Sequence, residues 1–136
     1  MTDQPQQPEP QPGYGSPQRP MSPQDEKTWA TLVHLSPFAS AVVGMPFLGP
    51  LVIYLVLRDR GPFIRHHTAQ ALNFQLVLLV AYVGLGLLSL PIVTLIITVP
   101  LLIAVAIASV VFQIIAAVKA NNGEWYRYPM TPDWVK

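Results

Sequence analysis

The stretch His66–Val118, HHTAQALNFQLVLLVAYVGLGLLSLPIVTLIITVPLLIAVAIASVVFQIIAAV, decides the fold. Arg65 is the last charged residue before it and Lys119 the first after it, so 53 residues pass without a formal charge. One membrane-crossing helix takes roughly 20 apolar residues, so this length accommodates two crossings and a turn. Ser89, Pro91 and Thr94 interrupt the apolar run near its middle and mark that turn. The reading is a transmembrane hairpin with helices at about 63–90 and 96–120.

Upstream, Thr28–Leu57 is a second uncharged run, of 30 residues. As one straight helix it would measure ~45 Å, longer than the ~30 Å hydrocarbon core, yet two full spans would need roughly 40 residues. Gly44, Pro46, Gly49 and Pro50 cluster in its middle, and proline removes a backbone donor and ends or kinks a helix. Two short helices, about 28–43 and 47–57, broken at Gly44–Pro50, fit this pattern either as a re-entrant hairpin or as short tilted spans. One kinked span is the competing reading. Ser22 followed by Pro23, Asp25 and Glu26 reads as a helix start, with a hydroxyl cap and acids at the positive end of the helix. The fold class is all-α, an integral membrane helical bundle.

Residues 1–24 hold seven prolines and six glutamines, too little apolar surface to offset the entropy of ordering, and read as a disordered tail. No apolar run occurs in the first 27 residues, so insertion is expected through the internal spans rather than a cleaved signal. Residues 25–136 form one helical membrane domain. Its last helix stops at Asn121-Asn122-Gly123, residues suited to the left-handed conformation that ends helices. In the tail 121–136, Trp125, Tyr126, Tyr128 and Trp134 alternate with Arg127 and prolines, as in a segment lying along lipid headgroups.

Charge sets the expected topology. Arg58, Arg60 and Arg65 fall in the loop 58–67, and Lys119, Arg127 and Lys136 follow the last span, whereas the turn between the spans carries no charge. The positive-inside rule places the loop and the C-terminus on the cytoplasmic side of the plasma membrane, with the N-terminal tail beside them if 28–57 turns back. Arg58, Arg60, Arg65, His66, His67, Lys119, Trp125, Tyr126 and Arg127 are then the residues expected to face headgroups.

Inside the apolar stretches, Gln70, Asn73, Gln75, Gln113 and His34 stand out. Asn73 lies six residues past His67 and Gln113 six before Lys119, which is equal depth in an antiparallel hairpin. The expectation is an Asn73–Gln113 clasp between helices, worth ~0.6 kcal/mol on average. The sharper alternative is a cavity open to the cytoplasm lined by Gln70, Asn73, Gln113 and His34. Ala104 and Ala108 form a small-residue seam, with Gly84 and Gly86 expected to thin the facing helix.

A net charge of +1 gives no argument for nucleic-acid binding, and the absence of cysteine excludes disulfides, thiolate zinc sites and iron–sulfur clusters. Between Glu26 and Glu124 the sole acid is Asp59, and the neighbouring His66 and His67 point about 100° apart on a helix. No catalytic residue, metal site or cofactor is expected, and an enzyme is not the reading.

The run His67-Thr68-Ala69-Gln70-Ala71-Leu72-Asn73-Phe74-Gln75 resembles a family of small bacterial membrane proteins called domain of unknown function 4870. That family is distantly similar to the twenty-kilodalton membrane subunit of the chloroplast inner-envelope import translocon. Further likeness lies in Lys27–Ala30 with His34-Leu35-Ser36, in Leu48–Leu51, and in Ala117–Pro129. The resemblance implies an all-helical membrane protein without an assigned activity. The leading expectation is a small accessory subunit of a larger membrane assembly, in contact with the bilayer and with a membrane-protein partner or further copies of itself. The alternative is a homo-oligomeric transport or pore-forming protein.

Overall fold

The computed structural model describes residues 19–136; the first 18 residues, where most of the expected disordered tail falls, lie outside the described residues. The described chain is all-helical: α1 Pro23–Ala41, α2 Leu48–Leu57, α3 Pro62–Leu88 and α4 Leu95–Asn121, with a single 3-10 turn Ile92–Thr94 before α4.

Helix α1 starts at a capped end, the Ser22 hydroxyl accepting the Asp25 amide at 3.1 Å with Pro23 in the first turn. It continues through Pro37. A proline there leaves the carbonyl of Val33 without its helical donor, and the Ser36 hydroxyl supplies one at 2.8 Å. The chain then reverses at Gly44, which takes a left-handed φ of 76°. The start of α2 lies so close to α1 that a Cβ on Gly49 would stand 2.7 Å from the Ser36 Cβ and 2.8 Å from its carbonyl oxygen.

Between α2 and α3, Gly61 leaves room for the Glu26 carboxylate. That carboxylate accepts the Ile64 amide at 2.9 Å, so a side chain of α1 caps α3. Residues 19–24, which composition assigned to the tail, are partly tied down here. The Met21 amide donates to the Arg60 carbonyl at 2.8 Å, and Arg60 Nε donates to the Arg19 carbonyl at 2.7 Å. Helix α4 ends in a Schellman motif: Gly123 has φ 79°, and the Gly123 and Glu124 amides donate back to Ala120 and Lys119. Lys27 packs beside Gly123, placing a cation at the negative end of α4.

These ties gather the start of α1, the α2–α3 turn and the end of α4 at one end of the bundle. Helix α1 packs on α4, α3 and α2, and α2 also packs on α3. Burial is concentrated at this end: every residue from His67 to Gln75 is buried, and none is from Leu76 to Leu90. The far half of the α3–α4 hairpin therefore projects with apolar side chains outward, among them Leu87, Leu88, Leu90, Ile96 and Ile97. Both α3 and α4 are long and apolar enough to cross a membrane. Gly84 and Gly86 face open space rather than a neighbouring helix, which corrects the expectation that they thin the α3–α4 contact.

Candidate functional site: a polar layer closed by the C-terminal tail

His66, Gln70 and Asn73 follow one another at helical spacing, and His67, Gln70 and Phe74 do the same beside them, so all five share one broad face of α3. The C-terminal tail lies on that face and is held by side chains reaching its main chain. His66 Nε2 donates to the Tyr126 carbonyl at 2.8 Å and His67 Nε2 to the Glu124 carbonyl at 3.0 Å. Gln70 Nε2 donates to Asp133 at 2.9 Å, and its carbonyl oxygen receives the Tyr128 amide at 3.4 Å. Asn73 makes a two-way pair with Val135, donating to its carbonyl at 3.0 Å and accepting its amide at 2.7 Å. The tail doubles back at Met130, which takes a left-handed φ of 57°. Tyr54 of α2 holds the end, its hydroxyl donating to the Lys136 main-chain oxygen at 2.7 Å.

Beneath the tail runs a buried relay. The Tyr128 hydroxyl lies 2.9 Å from His34 Nδ1, and His34 Nε2 lies 2.9 Å from His67 Nδ1. The protons on this relay follow from its end. Glu124 offers a carbonyl, which only accepts, so a neutral His67 carries its proton on Nε2 and accepts at Nδ1. His34 must then donate from Nε2 and accept at Nδ1, which leaves the Tyr128 hydroxyl as donor. Both imidazoles are thereby fixed as one tautomer. Tyr128 is also stacked on Phe74, ring centroids 4.0 Å apart and planes within 6°. Burial, with Tyr126 alongside, holds the Tyr128 phenol well above its ordinary pKa of 10.0. At the outer edge, Glu124 is held below the usual carboxylate value by its ion pair with Lys119, 2.7 Å away.

Sequence reasoning singled out most of the polar residues here but paired them differently. The Asn73–Gln113 clasp is not what forms: Asn73 is taken by Val135, and Gln113 sits 3.4 Å from Gln75 while donating to the Ser109 carbonyl of its own helix. Nor do His34, Gln70, Asn73 and Gln113 line one open cavity. His34, Gln70 and Asn73 bond to the tail side of the layer, and Gln113 borders a separate small pocket of about 150 Å³ with Gln75, Ser109 and Tyr82. His67 is fully buried rather than facing headgroups, and His66 is half-buried with one nitrogen spent on the tail. The tail likewise does not lie flat: Tyr128 and Thr131 are buried, while Trp125 and Trp134 point outward. Arg58 and Arg65 are exposed, Arg58 packing over the Tyr54 ring and pairing with Asp59. Tyr54 and Val135 are participants that the sequence did not point to, while Tyr128 and Glu26 stood out there in other roles, as a headgroup aromatic and as an acid at the start of α1.

Between the first turns of α3 and the tail lies a cavity of about 440 Å³, with Arg65, His66, Gln70, Trp125, Arg127 and Asp133 among its walls. Among the described residues no group of three or more His, Asp or Glu side chains gathers as a metal site would require. The arrangement defines a class: a helical hairpin protein with two helices fit to cross a membrane, whose polar end is organised by its own C-terminus.

Within that class the chain belongs to the MamF/MmsF family, the magnetosome magnetite crystal formation protein family, whose profile matches residues 25–135. This corrects the expected membership, because the profile found is neither that of domain of unknown function 4870 nor that of the chloroplast translocon subunit. No curated protein and no solved structure matches the chain.

Proposed function

We propose that this chain is a small accessory protein of the magnetosome membrane that acts in the formation of magnetite crystals. The family match over residues 25–135 carries the reading. Two structural features support it. The α3–α4 hairpin presents apolar side chains on its outward surface, as a bilayer requires, and the polar layer is confined to one end. That end also holds Arg58, Arg60, Arg65, Lys119, Arg127 and Lys136, so the positive-inside rule puts it on the cytoplasmic side, with both hairpin tips directed into the membrane. The protein then acts by shape and contact: a rigid, tail-latched platform on the cytoplasmic face and an apolar hairpin available to a membrane partner.

The competing idea, a pore assembled around Gln70, Asn73 and Gln113, has less support, since those side chains bond within the chain. The test is deletion of the gene in the native host, with crystal size and number counted by electron microscopy and membrane residence followed by alkaline extraction. Altered crystals restored by the wild-type gene are expected. A host that forms no magnetite, or crystals unchanged by the deletion, would overturn the crystal role, and release by alkali would overturn the membrane role.

A further inference from the structure

The cavity between α3 and the tail has a charge pattern that its own residues do not use up. Its walls include Arg65, Arg127, Lys136 and Asp133. Asp133 is fully committed, one oxygen on Arg127 at 2.6 Å and the other on Gln70 at 2.9 Å, and this neutralises Arg127. Arg65 and Lys136 pair with no Asp or Glu among the described residues. The one side-chain bond of Arg65 among the described residues is a long contact of 3.5 Å to the Lys136 main-chain oxygen, so most of its five donors are uncommitted. The remaining lining is apolar or aromatic: Pro62, Ala69, Val135 and Trp125, whose indole stands edge-on to His66 at 5.0 Å. Ligand cavities run from roughly 300 to 1,000 Å³, and about 440 Å³ suits a small polar group.

The geometry points to an anion site here, in which Arg65 and Lys136 grip a phosphate group and the apolar wall takes the glycerol portion of an anionic phospholipid. A planar guanidinium with spare paired donors matches phosphate oxygens two at a time. The position also matches, because the cavity lies at the charged end of the bundle, where α3 leaves its last arginine and begins its uncharged run. Free phosphate shares the same chemistry, and the experiment separates the two sources. The site presupposes that the chain resides in a membrane, which alkaline extraction tests independently.

The purified full chain in mild detergent would be examined by native mass spectrometry after addition of phosphatidylglycerol or phosphatidylcholine, with and without inorganic phosphate. Retention of phosphatidylglycerol over phosphatidylcholine is expected. Diffuse attraction between a basic surface and anionic lipid amounts to about fivefold per basic group and would fall equally on any exposed arginine. A built site instead predicts a loss of about tenfold or more for Arg65→Gln, with Arg58→Gln, an equal change of charge at a residue outside the cavity walls, losing about fivefold or less. Arg65 is exposed and makes one long bond, so the variant is expected to fold, and circular dichroism with gel filtration verifies it. Equal losses in the two variants, or equal retention of the two lipids, would overturn the site. Displacement of the lipid by millimolar phosphate would uphold the anion grip but assign it to free phosphate and overturn the lipid assignment.

Discussion

Replacing Asn73 by leucine is the sharpest probe of the tail latch. Leucine keeps the branched four-atom skeleton of asparagine, though with bulkier methyl ends, and removes both bonds to Val135, at 3.0 and 2.7 Å, from a side chain that is fully buried. Each such bond contributes about 1 kcal/mol net, so docking of the tail end weakens by about 2 kcal/mol. Keeping the tail in place would cost more, because the Val135 amide and carbonyl would stay buried and unpaired. The lower-energy response is for the tail end to lift and meet water. A 2 kcal/mol shift raises the open fraction by a factor of about 30. Amide hydrogen exchange reads this directly: exchange at Val135 should quicken by about that factor, while amides in the middle of α4 keep their protection. Gln113→Leu is the matched control, since it loses a 3.4 Å contact to Gln75 worth about 0.6 kcal/mol and a bond to the Ser109 carbonyl of its own helix, but no hydrogen bond to the tail. Unchanged exchange at Val135 in Asn73→Leu, or the same increase in Gln113→Leu, would refute the latch and restore the helix–helix clasp.

The buried relay predicts that Tyr128→Phe strands an imidazole acceptor on His34 and lowers stability by about 1–3 kcal/mol, measured by thermal unfolding in detergent. Its pH dependence follows from the raised phenol pKa. The folded state keeps the Tyr128 proton above pH 10 while the unfolded state gives it up, so stability present below about pH 10 is lost as pH rises further. Tyr128→Phe should flatten that alkaline decline. At the α3 cap, Gly61→Ala displaces the Glu26 carboxylate and Glu26→Ala deletes it, each costing about 1 kcal/mol. The double variant should cost little more than either, and full additivity would show that the two act separately. Gly49→Ala should cost about 1–3 kcal/mol, because the Ser36 main chain itself must move. Gly84→Ala should leave the monomer as stable or slightly more so, since nothing lies within 4 Å of the added carbon.

The hairpin was legible because a charge-free run of that length has few other outcomes, and the chain breaks at Ser89 and Gly44 were legible because proline and glycine leave local marks. Pairing was not. Equal depth made Asn73 and Gln113 look like partners, but depth says nothing about which face each occupies or what else reaches it. The partner that won was a main chain arriving from residues 124–136, and backbone amides have no signature in a sequence. His67 was misplaced for a related reason: standing beside Arg65 and His66 it read as surface, yet the α3 turn carries it 100° around to meet His34. Tyr128 and Trp125 look alike as interfacial aromatics, and only the fold separates the buried one from the exposed one. Glu26 as a cap for α3 required knowing that α1 starts where α3 starts.

The dimensions of the hairpin explain why so many amides and imidazoles collect behind it. From Leu76 to Leu88, the part of α3 free of amide side chains, there are 13 residues, or about 20 Å of helix, against a hydrocarbon core of ~30 Å. On the membrane placement proposed above, and in a bilayer of that thickness, the inner part of the polar layer lies within the depth of the lipid tails. The outer faces of α1 and α2 agree, presenting Leu32, Leu35, Val52, Leu55 and Val56 to the surroundings. An irregular segment such as the tail is tolerated at that depth only if its backbone is shielded and paired. Main chain at Glu124, Tyr126, Tyr128 and Val135 is paired by His67, His66, Gln70 and Asn73, and among the described residues no buried side-chain polar atom lacks a partner. Those four side chains thus do for the tail what a neighbouring strand does in a sheet. Their polarity is then spent on pairing the main chain of the tail, and it does not require that they line a path for a solute.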